Sequence, residues 1–501
     1  MPLFDKAKIS KEEFYAYAYV RNFQETQQDE VEDSLLYSPN GKVQQNNLLP
    51  IENLIEGVAD NTKRERLGKN LLDSFALIFE QPGSQGAVAV AMEWCEQLNI
   101  YTLHISKNYP SGRIPDHLIV DIQKWFKDNI ECAVNNSCLS RESKLWKDLL
   151  GNCCAKISKY IVEACNGDNS SEKIFNLSRV SSSVEYLVLS PQNVGLVEAR
   201  KVFLEIISSL KKFFYGPHSI ESKISKPGRA NGGSEHPLRY KDVASREPID
   251  FLHDITHVCF ELVESHGGDL NALHDELQAG LKEWEGRKLL RNIHGLIYTI
   301  SKYLRAWYDI VRFKIHSSSA ILCINFNLGL NRKSRELTLD FSKFLERAIE
   351  IGILEKEKED TLRKWYHIKD HPICGSSHCE MQMLEYLLTH NDANFFNYIG
   401  CSKGPCWLCY YILSSMTSQF KMGQSHFKLY PSWLPPEFTK CHMQREQLIE
   451  VLKFLGEKMK RLVDLGKGKK RHSRDALPDC PNDQETFLSP REVSIDQFGR
   501  S

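Results

Sequence analysis

The sequence predicts an α-helical N-terminal domain joined to an α/β C-terminal domain. Three observations carry that reading. Apolar residues recur at helical spacing through the first 215 residues, with little strand-like alternation. A segment rich in Gly, Pro, Ser and charge, residues 216–248, breaks the pattern and reads as a linker or mobile loop. Beyond it, short β-branched and aromatic runs alternate with helical stretches, which implies a sheet with at least partly parallel strands.

In chain order, helical spacing covers residues 9–24, 61–104, 117–133, 142–166 and 195–214, the substance of a helical domain over 1–215. It returns over 249–313, opening an α/β domain that runs to 465. The run AILCINFNLGL, residues 320–330, is a strand candidate, and 338–367 is again helical. Helix is then expected over 378–390, strand over 395–402, helix over 405–420 and strand over 426–430. A long amphipathic helix follows over 442–465. Residues 466–501 are polar and expected to be disordered.

Composition narrows the function classes. A net charge of -1 on 501 residues excludes a general polyanion binder, so any nucleic-acid contact must be a local patch. The basic run KGKKRHSR, residues 467–474, is such a patch or a solvated tail. Fifteen cysteines, an odd number, with Cys153 adjacent to Cys154, fit reduced thiols better than a disulfide framework. The start, MPLFDKAKISKEEF, lacks the apolar core of a signal peptide, and no run is long enough for a membrane helix. The expectation is an intracellular protein, cytoplasmic or nuclear, without a membrane partner.

The chemistry concentrates in SSHCEMQ and GCSKGPCWLC. Pro405 suits the first turn of a helix. Cys406 and Cys409, three apart, then share one face near the positive end of the helix dipole, which favours thiolates and two sulfur bonds to one Zn²⁺. His378 and Glu380, two apart, point to nearly opposite sides in mid-helix. They converge only if His378 sits at the very start of the helix, with Gly375, Ser376 and Ser377 leading in. His378, Cys406 and Cys409 make three metal ligands and leave a fourth position open for water. A zinc-bound hydroxide would be the nucleophile, and Glu380 would shuttle its proton to a leaving nitrogen. The alternatives are a closed zinc knot completed by Cys374, Cys379 or Cys401, and plain buried thiols.

HCEMQMLEYLL, YIGCSKGPCWLC and HFKLYPSW together resemble the deaminase-domain family found in fungal proteins, within the cytidine-deaminase-like superfamily. The order H-x-E then P-C-x-x-C is the signature of zinc nucleobase deaminases. The resemblance covers residues 378–433 well and says little about 1–215. It implies a three-layer α/β/α fold with helical additions, its core over 320–440 and its metal between the starts of two helices. It also implies zinc on His378, Cys406 and Cys409, Glu380 as proton shuttle, and a substrate base, cytosine or adenine, in a nucleotide, RNA or DNA. In one respect the chain departs from the pattern. The superfamily has a β-hairpin shortly before H-x-E, whereas here the best strand, around Asn325 and Phe326, lies far upstream.

Three further features each have two readings. HDITH, residues 253–257, echoes a zinc-protease helix, but a core or surface histidine pair fits better. Asn325 and Asn327 could bond a ring edge, and as ordinary strand-end residues they need not. Phe395, Phe396, Tyr398, Trp407, Tyr410, Tyr411 and Trp433 could stack on a base, although core packing suits most of them. The competing functional class is a non-catalytic binding or scaffold protein with a structural zinc, whose N-terminal helices carry a protein partner.

Overall fold

The computed structural model describes residues 3–32, 61–80, 87–108, 116–127, 143–165, 170–185, 194–215, 246–281, 284–316, 321–326, 337–366, 373–390, 393–438 and 442–468, apart from a few positions inside those spans. The linker expectation for 216–248 and the disorder expected after 466 fall almost wholly outside them.

The chain opens with helices Leu3–Lys6 (α1), Lys11–Glu32 (α2) and Asn61–Phe79 (α3). The helix expected as far as residue 104 is then corrected. Val88–Cys95 (β1) and Ile100–Lys107 (β2) form an antiparallel hairpin, registered from Val88 opposite Lys107 to Cys95 opposite Ile100. The first 215 residues are therefore not all helical. The misreading has a physical cause. A strand covered on both faces is apolar at successive positions, so VAVAMEWC loses the period-2 signal and resembles a buried helix segment. Its two faces still differ. Val88, Val90 and Met92 enter one core, Ala89 and Ala91 the other.

Helices Asp116–Lys127 (α4), Lys144–Ala164 (α5), Ser170–Glu185 (α6), Val194–Tyr215 (α7), Arg246–Ser265 (α8), Asn271–Gly280 (α9) and Trp284–His316 (α10) follow. With α3 they build the core on the valine face, around Trp146, Phe203, Tyr303 and Trp307. The chain then returns to the sheet as Ile321–Phe326 (β3), parallel to β2, inside the expected 320–330 strand.

The remaining elements complete the sheet with two more strands and cover its alanine face. They are Leu337–Leu339 (β4), Phe341–Glu350 (α11), Glu359–Trp365 (α12), Ile373–Ser377 (β5), Cys379–Thr389 (α13), Tyr398–Cys401 (β6), Trp407–Met416 (α14), Lys421–Met422 (β7), Trp433–Leu434 (β8) and His442–Gly468 (α15). The small side chains of Ala89 and Ala91 let α13 lie close over β1 and β2. The main sheet has the order β3-β2-β1-β6-β7, with β1 antiparallel to both neighbours and β7 parallel to β6. It joins strands from both sides of the 216–248 segment, with helices on both faces. α2 packs on α11 and α15 and shares the core of the alanine face through Phe14, Tyr15 and Tyr19.

The strand expected over 426–430 is also corrected: Lys428–Tyr430 is irregular, and the strands are β7 and β8 on either side. The backbone there serves other partners. The Lys428 carbonyl accepts the Trp407 N–H at 3.1 Å, and the Leu429 carbonyl accepts the Asn22 side-chain amide at 2.7 Å.

Candidate metal centre

Two helix starts meet at the site. His378 is the N-cap of α13, with extended backbone (φ -68, ψ 150), so its side chain turns back from the helix rather than out along it. Cys406 is the N-cap of α14 (φ -69, ψ 167), and its sulfur accepts the Cys409 N–H at 3.4 Å. Placing His378 at the helix start meets the condition under which His378 and Glu380 converge. Ligand atoms of His378, Cys406 and Cys409 all lie within 4.8 Å of one another. His378 Nδ1 is 3.5 Å from Cys409 Sγ. Zinc bonds at a tetrahedral angle set N and S ligands about 3.6–3.8 Å apart, so the donor set and its spacing fit that ion.

The electrostatics suit a cation. Burial opposes the Cys406 thiolate, but hydrogen bonding from Cys409 and the charge of the His378 imidazole hold its pKa well below the usual thiol range. Burial and the charge on Cys406 push Cys409 well up. Burial disfavours imidazolium at His378, yet Cys406 and Glu380 outweigh it and raise its pKa. Glu380 is buried, and burial raises its carboxyl above the usual range; Cys406 adds to that rise while His378 opposes it. A carboxyl raised in this way can hold a proton beside the metal ligands.

Several residues that the sequence did not single out fix these two helix starts. Asn108, just after β2, accepts the Cys379 N–H through Oδ1 at 2.6 Å. Gln382 donates to the Ser377 and Lys107 carbonyls at 2.8 and 3.2 Å and accepts the Ser106 hydroxyl at 3.1 Å. On the other side, the Ser425 hydroxyl donates to the Pro405 carbonyl at 2.7 Å. Asp73 on α3 accepts the Tyr398 hydroxyl at 2.9 Å and the Cys401 N–H at 3.3 Å. A Cβ at Gly400 would stand 2.3 Å from the Leu72 carbonyl carbon, so only glycine lets β6 press so close to α3. Buried Glu80 pairs with Lys156 of α5 and lies 3.4 Å from Lys403 in the loop before Cys406. For Ser106, Lys107 and Asn108 the signal missed is the hairpin, whose end supplies them.

The other candidates lie elsewhere. The His253 and His257 rings are tilted against each other with centroids 4.5 Å apart inside α8, both buried, while Asp254 is 78% exposed with its Oδ1 3.3 Å from His253 Nδ1. They are core histidines. Asn325 sits on β3, opposite His104 and at the far edge of the sheet from β6; Asn327 lies outside the described residues. Phe395, Tyr398, Trp407 and Trp433 are buried core, Phe396 packs on α3 at Gly68, and Tyr411 accepts Lys458 at 2.9 Å. Cys379 Sγ meets Glu380, and Cys401 Sγ lies 3.6 Å from the Met422 sulfur, so neither joins the three ligands. The side chain of Cys374 and nearly all of the 467–474 basic run lie outside the described residues.

A family model described as "OTT_1508_deam:-like deaminase" matches residues 377–437, the segment that holds His378, Glu380, Cys406 and Cys409. No curated protein and no solved structure matches the chain. Among the described residues no helix is long and apolar enough to cross a membrane. The C-terminal region thus carries a deaminase-superfamily domain with a His/Cys/Cys group able to take a metal, consistent with zinc.

Proposed function

We propose that this protein is a zinc-dependent hydrolytic deaminase acting on a nucleobase, cytosine or adenine, presented in a nucleotide or nucleic acid. The observation that carries the reading is the convergence of three ligand atoms with a buried carboxyl, Glu380, inside the deaminase-matching segment. The layering supports a cytidine-deaminase-like α/β/α arrangement. Helices cover both faces of the sheet, the β1–β2 hairpin lies against α13, and the metal ligands open two helices.

His378, Cys406 and Cys409 would hold the ion, which when bound would supply Lewis-acid activation of a water. Glu380, in the first turn of α13, would accept a proton from water at its carboxyl and pass it to the departing ring nitrogen. Burial of its carboxyl suits both halves of that task, because a raised pKa keeps the proton available for return. Asn108 and Gln382 hold the start of α13 so that His378 and Glu380 keep their mutual orientation. Against a structural zinc stands the placement of Cys379 and Cys401 away from the ligand group. The free cysteines, Cys153, Cys154 and Cys259 among them, fit a reducing compartment, cytoplasm or nucleus.

Glu380→Ala tests the assignment. The variant is expected to retain zinc and lose at least ~10²-fold in turnover of cytosine- or adenine-containing substrates. Native turnover in a zinc-loaded Glu380→Ala protein would remove Glu380 from the chemistry.

A further inference from the structure

Cys406 is delivered by a short irregular loop that leaves β6 at Cys401 and ends at the cap of α14. Irregular backbone has no ladder of its own, so neighbouring elements hold it. Asp73 of α3 accepts the Cys401 N–H at 3.3 Å. The Val88 carbonyl accepts the Ser402 N–H, and the Ser402 hydroxyl accepts the Val88 N–H, each at 3.0 Å. The Ser425 hydroxyl donates to the Pro405 carbonyl at 2.7 Å. Between these ties stands Lys403, and its partner is a buried acid.

Glu80 follows the last residue of α3 and is 1% exposed. Its Oε2 pairs with Lys156 of α5. Its Oε1 is buried, makes no hydrogen bond among the described residues, and lies 3.4 Å from Lys403 Nζ. A carboxylate so deeply buried is costly unless donors or cations face both of its oxygens. Lys156 answers one oxygen, and Lys403 is the cation that faces the other. A lysine with 39% of its side chain exposed is ordinarily mobile in solvent, but here the buried acid holds its head. Glu80 is in turn held from α5. Burial lowers the Lys156 pKa, and the charge of Glu80 opposes that fall. The Ile78 carbonyl, at the end of α3, accepts the Asn152 side-chain amide at 2.8 Å and the Cys153 thiol at 3.4 Å. One physical link therefore runs from α5 through Glu80 and Lys403 to the loop that ends at Cys406. α5 lies far outside the deaminase-matching segment.

We propose that Glu80 is a positioning residue of the metal centre: through Lys403 it fixes the loop that delivers Cys406, and so ties the hold on the ion to helix α5. The proposal rests on the metal reading of His378, Cys406 and Cys409, and it gives the helical additions a task at that site. Glu80 is not a ligand and acts only through Lys403. Linkage makes the effect reciprocal. Where α5 steadies the loop that binds the ion, the bound ion steadies α5 by the same free energy.

The test uses the full-length chain and zinc alone. Zinc affinity is measured by competition with a chromophoric chelator for the native chain, Lys403→Met and Lys403→Arg. Lys403→Met should weaken zinc about tenfold, as loss of a support outside the ligand set does. Lys403→Arg keeps a cation for Glu80 and should bind like the native chain. Glu80→Gln is made together with Lys156→Met, so that no buried charge is left unpaired and the chain still folds. This double variant should weaken zinc as Lys403→Met does, and adding Lys403→Met to it should cost nothing more. Hydrogen exchange reads the reciprocal effect. Zinc should slow exchange in α5 more than in α7 for the native chain, and that difference should vanish in Lys403→Met. Native zinc affinity in Lys403→Met overturns the proposal and leaves the metal site standing. So do losses that add in the triple variant, or equal zinc protection of α5 in the native chain and Lys403→Met. A native chain that takes up no zinc removes the metal reading itself, and the proposal with it.

Discussion

Two helices in this molecule carry a histidine followed closely by an acid, and only one of them builds a site. In α8, His253 and Asp254 lie mid-helix. There the imidazole is buried and the carboxylate largely exposed, although His253 Nδ1 lies 3.3 Å from Asp254 Oδ1. In α13, His378 precedes the first turn and Glu380 lies within it. The extended backbone at His378 cancels the roughly 200° that two helical residues would put between them. Spacing alone therefore does not make a site. Position relative to the helix start does here, because the extended backbone at His378 lets residues two apart in sequence face one point.

The largest expected effect breaks the comparison directly. His378→Ala should abolish zinc retention and turnover together. His257→Ala should leave both intact and cost on the order of 1–3 kcal/mol of stability through a core cavity. Metal analysis and thermal unfolding of the two variants read this out. Loss of zinc from His257→Ala would make the two helices equivalent and undo the distinction.

A smaller effect concerns another acid, the half-buried Asp73 of α3. Burial raises Asp73 from 3.8 to about 6, against the opposing hydrogen bonds from Tyr398 and Cys401. Its folded-state pKa exceeds its unfolded one, so its contribution to stability is full below pH 4 and is lost as pH rises through 6. Allowing for partial exposure, the loss is roughly 2 kcal/mol. Asp73→Asn should remove that slope, so the variant gains on the native chain between pH 4 and pH 7 in denaturant melts. Parallel profiles for the two would show that Asp73 ionises freely.

The ligand set was legible because its geometry is local. Pro405 falls before the cap rather than in the first turn, and Ser376 and Ser377 end β5 instead of capping α13. The C-x-x-C spacing does act within a single helical turn, with Cys406 as N-cap and Cys409 in the first turn of α14. Helices such as α5 and α7 were legible for the same reason, lying within a few residues of the expected 142–166 and 195–214. The hairpin was not, because a sheet covered on both faces erases the alternation that marks a strand. The hairpin at 88–107 lies far upstream of H-x-E, with the helices α4 to α12 and the strands β3, β4 and β5 between them. The segment around Tyr430 was illegible for a different reason. Its irregular backbone is bonded to Asn22, 407 residues away from Leu429 in sequence, and no local pattern encodes such a contact. Asn108 and Cys379, 271 apart, are a second case.

The central claim is an open three-ligand zinc site. X-ray absorption and metal analysis of the native chain and of Cys406→Ala test it most directly. The account predicts one zinc per native chain, bound by two sulfurs, one nitrogen and one light oxygen, and no stable zinc in Cys406→Ala. A native chain without zinc, or a shell filled by four protein ligands, would contradict it.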